Sequence, residues 1–217
     1  INFMSKYINI HTHLLNDEDC ISIFNHRFHF DKEIISTNYF SIGVHPYDCN
    51  LVTDKTFSQI QDTLKHPNCK AIGECGLDKV ISIPIEIQKQ VFINQLKLAE
   101  HFHKPVIIHC VKAYQELIEV TKPFQNKIPL IIHGFYKSNE LASQLISNGF
   151  YLSVNPKLVS SNSFNLSALP LNKLFFETDD NSEIPIQSIY KMAADKLKLS
   201  ETELKEKIYL NFAQLFL

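Results

Sequence analysis

The sequence lacks any excess of positive charge: 21 Lys and Arg stand against 23 Asp and Glu, which gives a formal net charge of −2. Nonspecific affinity for nucleic acid or for anionic membranes comes from clustered Lys and Arg, so a global electrostatic attraction to either is excluded. Any phosphate-binding surface must therefore be local. The five cysteines are odd in number and have no paired short spacing, which argues against a disulfide framework and for a reducing compartment.

Long hydrophobic runs, linkers and low-complexity segments are also missing. The longest apolar runs have the length of a strand, so the sequence predicts no signal peptide and no transmembrane helix. No Gly/Ser-rich segment divides the chain, and 45% of its residues are hydrophobic, which is enough for a sizeable core. We expect residues 1–217 to form a single domain of a cytoplasmic, monomeric protein that makes no membrane contact.

What the sequence does contain is a recurring short apolar run, rich in residues that favour strands, that ends abruptly in a polar or ionisable residue. Continuous apolar runs of this length are typical of strands buried on both faces, as in a parallel sheet. The eight predicted strands are residues 7–10, 20–24, 40–44, 71–73, 106–108, 130–132, 151–154 and 174–176.

Helical patterns fall between several of these runs. They are residues 54–65, 86–102, 139–147 after the N-cap Ser138, and a last helix that opens on the capping box of Ser200 and Glu203 and runs through Leu215. Alternating strands and helices predict an α/β fold, a TIM-type (β/α) barrel. There is little room for helices between Leu14 and Phe40, so we expect shortened or irregular early crossovers. An open doubly wound sheet is the alternative.

Several of the predicted strands deliver ionisable side chains at or just past their carboxyl ends. These are His11 and His13, Glu74, His109, His133, and the pair Glu177 and Asp179. In a parallel barrel all such ends open on one mouth, where active sites lie. A single histidine at a strand end is usually structural, but the whole combination is far more specific, because buried charges without partners are costly.

Four imidazoles together with two of these three carboxylates suit divalent transition metals, and six groups are too many for one tetrahedral ion that keeps an open position. The sequence therefore predicts a two-ion site bridged by a carboxylate. The predicted ligands are His11, His13, Glu74, His109, His133 and Asp179, and the ions are Zn, Mn or Mg.

The chain resembles the TatD-related metal-dependent hydrolases over nearly its whole length and in the order of the family's motifs. The matching segments are His11-Thr12-His13-Leu14, Gly43-Val44-His45-Pro46, Gly73-Glu74-Cys75-Gly76-Leu77-Asp78, Lys104-Pro105-Val106-Ile107-Ile108-His109, Ile131-Ile132-His133-Gly134-Phe135, Gly149-Phe150-Tyr151, Glu177-Thr178-Asp179 and Asn211-Phe212-Ala213-Gln214-Leu215-Phe216. The resemblance implies a TIM-type barrel, a one- or two-ion site and hydrolysis of phosphodiester bonds, usually in DNA.

By position, the resemblance implies that His11, His13 and Asp179 hold one ion. It further implies that His109 and His133 hold the second and that Glu74 bridges the two. His45 would face the substrate phosphate, although it also reads as an ordinary turn histidine before Pro46. Asp78 and Glu177 would support the ligands, since neighbouring carboxylates orient ligating imidazoles and raise their basicity.

The sequence departs from the family pattern mainly beside the ligands. Asn9 stands where the family commonly has Asp, Cys110-Val111-Lys112 replaces Ser-Arg-Asp, Gly134-Phe135-Tyr136-Lys137 replaces Cys-Phe-Ser-Gly, and Asp180-Asn181 replaces Ala-Pro. Lys112 and Lys137 become, with His45, the predicted phosphate contacts. Cys75 and Cys110 are expected to be buried spectators. Phe135, Tyr136 and Tyr151 could stack on a base, although such aromatics more often serve packing.

The function predicted from these residues is a metal-dependent phosphodiesterase, a deoxyribonuclease in which activated water attacks phosphorus. Glu74 and Asp179 are the predicted catalytic residues, and Asp179 both binds an ion and accepts a proton. Two alternatives remain. One is an amidohydrolase-type enzyme that uses the same ligands on a carbonyl substrate, and the other is a metal-binding relative without catalysis.

Overall fold

The computed structural model describes residues 6–14, 19–28 and 38–217, and within them eight strands form one sheet in chain order. The strands are β1 (Tyr7–Thr12), β2 (Cys20–Arg27), β3 (Tyr39–Gly43), β4 (Cys69–Asp78), β5 (Val106–Val111), β6 (Leu130–Phe135), β7 (Tyr151–Val154) and β8 (Leu174–Phe176). All eight coincide with the predicted apolar runs. The pairs β1–β2, β3–β4, β4–β5, β5–β6 and β7–β8 are parallel.

Helices alternate with the strands from β3 onward. They are α1 (Thr56–Leu64), α2 (Ile85–Phe102), α3 (Tyr114–Thr121), α4 (Asn139–Ser147), α5 (Pro156–Ser160), α6 (Ile186–Leu197) and α7 (Glu201–Phe216). The four predicted helices are confirmed as α1, α2, α4 and α7, and the capping box of Ser200 and Glu203 is present. In the part of the chain that the structure describes, no helix combines the length and the apolarity needed to cross a membrane.

The last strand returns to the first, which decides the fold class. Beyond the end of β8, Asp179 forms a parallel bridge with Thr12, and its backbone N–H donates to the carbonyl oxygen of His11 at 3.1 Å. An open doubly wound sheet would reverse its strand order at a switch point, and this sheet does not. The predicted TIM-type (β/α) barrel is confirmed.

The first crossover of the barrel is short, as predicted. The β1–β2 connection is confined to residues 13–19, fewer than the 10–12 residues that a helical crossover needs. Residues 15–18 of that connection lie outside the described part, and so do residues 29–37 of the next one. The predicted irregularity of the second crossover therefore stays a prediction.

Contacts group the chain into two compact units, the first made of Ile1–Phe24 with His133–Leu217 and the second of Asn25–Ile132. In the first unit, the Tyr190 hydroxyl on α6 donates to the carbonyl oxygen of Ile8 and accepts from its N–H, both at 3.1 Å. Burial raises the pKa of Tyr190 well above its ordinary value, so this hydroxyl stays neutral. It fixes β1 against α6.

In the second unit, β4 and β5 approach so closely that only glycine fits at two positions of β4. Gly73 and Gly76 have φ angles of +146° and +147°, a region that is essentially reserved for glycine. A Cβ atom on Gly76 would lie 2.0 Å from the carbonyl oxygen of His109, and one on Gly73 would lie 2.5 Å from that of Ile107. This close approach places the strand that carries Glu74 beside the strand that carries His109.

We expect Gly76→Ala to lower the free energy of unfolding by about 3 kcal/mol, because both the contact with His109 and the backbone angle oppose a side chain. Gly149→Ala is the matched control. Gly149 has a φ of +89°, but a Cβ there meets nothing within 4 Å, so only the backbone cost of about 1 kcal/mol applies. Urea denaturation measures both, and equal losses in the two variants would contradict the steric explanation.

Candidate metal centre

In the first unit, the ends of β1 and β8 are tied together by a small polar network. Asn9 donates from Nδ2 to Thr178 Oγ1 at 2.8 Å and accepts from the Thr178 N–H at 3.1 Å. Thr178 in turn donates from its hydroxyl to Thr12 at 3.1 Å. The amide of Asn9 supplies both a donor and an acceptor, so this departure from the family's Asp has a structural role here.

Next to this network, three side chains lie close together: His11, His13 and Asp179. We call them the first donor set. Asp179 Oδ1 lies 3.4 Å from His11 Nε2 and 3.6 Å from His13 Nε2. Asp179 has a φ of +55°, in the left-handed region that Asp tolerates better than most residues, and this conformation turns its carboxylate toward both imidazoles. The set is reachable from solvent, since the side chains of His13 and Asp179 are 37% and 28% exposed.

His133 and Glu177 lie beside the first donor set within the same unit. The rings of His133 and His11 are 4.2 Å apart between centroids, within the distance required if both bind ions of one site. Glu177 is fully buried, and its Oε1 accepts a hydrogen bond from the Gly134 N–H and lies 3.6 Å from His133 Nδ1. The other carboxylate oxygen of Glu177, Oε2, has no hydrogen-bond partner among the described residues.

The second unit builds another cluster, His45, Glu74 and His109, which we call the second donor set. Glu74 Oε1 lies 2.9 Å from His109 Nδ1 and 3.3 Å from His45 Nε2. Its Oε2 accepts a hydrogen bond from Asn25 Nδ2 at 3.1 Å, and its N–H donates to Asn25 Oδ1 at 2.9 Å. Asn25 therefore fixes one carboxylate oxygen and leaves the other directed at the imidazoles.

A second carboxylate orients His109. Asp78 Oδ2 lies 3.2 Å from His109 Nε2, and Asp78 Oδ1 accepts from the Val80 N–H at 2.7 Å. Both ring nitrogens of His109 thus face a carboxylate: Nε2 faces Asp78, which can orient the ring as such carboxylates do beside metal-binding histidines, and Nδ1 faces Glu74. The supporting role expected for Asp78 agrees with this geometry.

Two buried glutamines of α2 hold the loops that carry these side chains. Gln88 accepts from the Asp78 N–H at 2.7 Å and donates to the Asp78 carbonyl oxygen at 2.9 Å. Gln95, seven residues later and on the same helix face, accepts from the Val44 N–H at 2.7 Å and donates to the Val44 carbonyl oxygen at 3.1 Å. Each side-chain amide thus binds both the N–H and the carbonyl oxygen of one residue, as the backbone of a neighbouring strand would. Gln88 does so at the end of β4, and Gln95 does so just past the end of β3.

An ion pair secures the turn after His45. Arg27, the only arginine in the sequence, donates to Asp48 through Nε at 2.6 Å and Nη2 at 2.8 Å. Asp48 is 2% exposed, and it lies in the 3₁₀ turn Pro46–Leu51 that His45 caps by accepting from the Tyr47 N–H. A bidentate guanidinium–carboxylate pair has a defined geometry, so the turn is well fixed.

The structure also gives the positions of the remaining predicted residues, whose roles stay predictions. Lys112 and Lys137 are exposed just past the ends of β5 and β6. Cys75 is fully buried and Cys110 nearly so, as expected. Burial also raises the pKa of the Cys75 thiol well above its ordinary value, which disfavours a thiolate ligand.

The donor chemistry fits divalent cations. In each set the three ligand atoms lie within 4.8 Å of one another, and all are imidazole nitrogens or carboxylate oxygens. The separations of 3.4 and 3.6 Å in the first donor set exceed the usual N–H···O range of 2.7–3.2 Å. They match the roughly 3.4 Å between two ligands that sit about 2.1 Å from one tetrahedral ion. In the second donor set, Glu74 Oε1 and His109 Nδ1 are at hydrogen-bond distance, 2.9 Å, so its fit to a cation rests on the donor types and their clustering. Both sets are therefore able to hold metal.

The order of these sets along the chain agrees with a known family. The family model described as TatD related DNase matches residues 11–217. The chain belongs to this family. Among curated relatives it is 30% identical over 152 residues to the 3′-5′ ssDNA/RNA exonuclease TatD of Escherichia coli K12, and 33% identical over 147 residues to the uncharacterized metal-dependent hydrolase YabD of Bacillus subtilis.

These alignments cover 66% and 65% of the chain, and the chain spans only 58% of the length of either relative. Solved structures agree on the fold. YJJV, a TatD homolog from Escherichia coli K12, aligns with a TM-score of 0.82 at 21% identity, and a TatD family hydrolase from Entamoeba histolytica aligns with 0.82 at 16%. Both alignments cover 98% of each chain.

We expect Gln95→Met to lower the free energy of unfolding by about 2–4 kcal/mol, because it leaves the buried N–H and carbonyl group of Val44 without their amide partner. Gln59→Met, at an exposed position of α1, is the control and should change stability by less than about 0.5 kcal/mol. Chemical denaturation of both variants checks this. A Gln95 variant as stable as the control would show that the amide does not hold the end of β3.

Proposed function

We propose that this TatD-family chain is a divalent-metal-dependent hydrolase that cleaves phosphodiester bonds, with DNA as its substrate. The observation that carries the proposal is the pair of donor sets, each a cluster of imidazoles around a carboxylate, with neighbouring buried carboxylates beside His109 and His133. Relatives named as ssDNA/RNA exonucleases support the choice of a nucleic acid.

The proposed ligands are His11, His13, His133 and Asp179 of the first unit and Glu74 and His109 of the second, with one ion held in each unit. His45 is proposed as a phosphate contact: its Nδ1 accepts from the Tyr47 N–H, so the neutral ring carries its proton on Nε2 and offers a donor there, 3.3 Å from Glu74 Oε1. Each donor set comes from one chain, so we propose that a monomer suffices. We also propose a cytoplasmic location, because the sequence has an odd number of cysteines without the paired short spacing of a disulfide framework.

When bound, a divalent ion lowers the pKa of water toward about 7 and neutralises charge on phosphate oxygens. The chain's residues supply the remaining chemistry. Asp179 is the proposed proton acceptor for the attacking water, because its carboxylate is part of the first donor set and is 28% exposed to solvent. Glu74 is proposed as the second catalytic carboxylate, held in place by Asn25.

Phosphate binding in this proposal relies on lysine. The only guanidinium of the chain is engaged with Asp48, so no arginine remains to grip phosphate bidentately. Lys112 and Lys137 are exposed past their strands and act as point charges. With a net charge of −2 and few cationic contacts, affinity for DNA should fall only slightly as salt rises, with a slope of about −1 to −2 on logarithmic axes.

We expect the protein to bind two divalent ions, and we expect His11→Ala and His109→Ala each to bind about one ion fewer, since each variant loses a ligand from a different donor set. Chelation should lower the melting temperature by about 5–10 °C, because ion binding stabilises only the folded state. His101→Ala, at an exposed position outside both sets, is the control. Elemental analysis and thermal scans measure these effects. Full metal content in both ligand variants would contradict the ligand assignment.

We expect Asp179→Asn and Lys112→Ala to affect different kinetic constants. Loss of the proton acceptor should lower kcat about 10²- to 10⁴-fold. Loss of the Lys112 charge should instead raise KM about tenfold. Lys157→Ala, an exposed lysine of α5, is the control and should change neither constant. The substrates are single-stranded DNA, duplex ends and a nitrophenyl phosphodiester, with metal content verified for each variant.

The outcome of these assays separates the remaining functions. No turnover of any phosphodiester by a fully metal-loaded protein would overturn the proposal. Hydrolysis of an amide under the same conditions would then favour a carbonyl substrate, and inactivity on both classes would favour a metal-binding role without catalysis.

A further inference from the structure

Tyr47 is an exposed aromatic side chain directly next to the second donor set. It follows His45 and Pro46 at the start of the 3₁₀ turn, and it is 52% exposed. Of the aromatics considered from the sequence, Phe135 is 1% exposed, and Tyr151 is half-buried with Lys173 Nζ 3.9 Å from its ring centroid. Tyr136 is 51% exposed, about as much as Tyr47, so the feature that distinguishes Tyr47 is its ring contact with His45 of the second donor set.

The backbone of Tyr47 is well fixed for an exposed residue. Its N–H donates to His45 Nδ1 at 3.2 Å, Pro46 restricts the preceding φ angle, and the following residue is Asp48, held by Arg27. The rings of Tyr47 and His45 lie 4.7 Å apart with an interplanar angle of 89°. A ring on a fixed backbone loses little conformational entropy when a ligand packs against it.

Tyr47 is also close to the proposed ligands Glu74 and His109. The His45 ring that it contacts has its Nε2 3.3 Å from Glu74 Oε1 and its centroid 4.6 Å from that of His109. A nucleotide whose phosphate binds at this donor set carries a base one sugar away from that phosphate. Bases of single strands offer free faces, and stacking on an aromatic side chain adds affinity that does not depend on positive charge. That matters in a chain with a net charge of −2.

We propose that Tyr47 is a stacking platform for a nucleobase of a single-stranded substrate and thereby sets the preference for unpaired nucleic acid. This inference rests on the proposed phosphodiesterase function and names the residue that holds the base. Tyr47 positions the substrate and takes no part in proton transfer.

The absence of tryptophan from the chain gives a direct test by binding. Tyr47→Trp introduces a single reporter, whose fluorescence is quenched when a base stacks on it. The probe is a single-stranded phosphorothioate oligonucleotide, which resists hydrolysis, compared with an abasic oligonucleotide of the same length. We expect quenching by the first and little or none by the second. Leu210→Trp, at a 60% exposed position of α7, is the matched control and should respond to neither.

Tyr47→Ala and Tyr47→Phe complete the test in the metal-loaded enzyme. Tyr47→Ala should weaken binding of the base-bearing strand about 5- to 100-fold relative to the abasic strand, and Tyr47→Phe should retain the wild-type preference. Equal quenching by both strands, no quenching, or an unchanged preference in Tyr47→Ala would overturn the inference. Turnover of phosphodiesters is scored separately, so an inactive protein that still shows base-dependent quenching would refute the proposed function and leave the platform standing.

Discussion

The ends of the strands carry ionisable groups that are removed from water, and each of them needs an oppositely charged or hydrogen-bonding partner. The rest of the structure is arranged around this requirement. His11 and Glu177 are fully buried, and Asp78, Glu74 and His133 are 2%, 7% and 8% exposed. A buried carboxylate or imidazole without a partner would be destabilising by several kcal/mol. Compact clusters in which imidazole nitrogens face carboxylate oxygens offset part of this cost. A bound cation would offset the rest. The cost of burial therefore explains why hydrogen bonds and ion pairs from neighbouring residues surround both donor sets.

Support comes from parts of the chain that are far apart in sequence. Asn9 binds Thr178, and Asn25 binds Glu74 across a separation of 49 residues. The glutamines of α2 reach the ends of two different strands. Because amides both donate and accept, each can satisfy a backbone N–H and a carbonyl group at once. The strand order thus brings the ligands close to one another, and hydrogen bonds from polar side chains set the final position of each ligand.

The sequence was sufficient to predict all eight strands, four of the helices and the residues of the clusters, because these rest on local patterns. Apolar runs and terminal histidines can be read directly, and the capping box of Ser200 marks the start of α7. The helix α6 was not predicted, although its apolar positions have helical spacing, because it begins after Pro185 without a side-chain cap. The ligand roles and ion number stay predictions, as does the single-domain organisation.

Other features could not be read from the sequence because they depend on tertiary contacts. Nothing in the helical pattern of α2 distinguishes Gln88 or Gln95 from surface glutamines; only their burial does. The positions of Asp78 beside His109 and of Tyr47 beside His45 likewise depend on strand register and on a turn conformation. Gly73 and Gly76 belong to a motif that the sequence shows. The reason that glycine is needed there is the close approach of β5 to β4, which the sequence does not show.

The choice of amides in α2 has a consequence for behaviour across pH. Carboxamides do not ionise at ordinary pH, so the hydrogen bonds of Gln88 to Asp78 and of Gln95 to Val44 do not depend on the protonation of either glutamine. An ionised glutamate in the same place would accept from the backbone N–H but could not donate to the carbonyl oxygen. Exchanging one amide nitrogen for oxygen would therefore cost a strand end one of its two contacts and make the other dependent on pH.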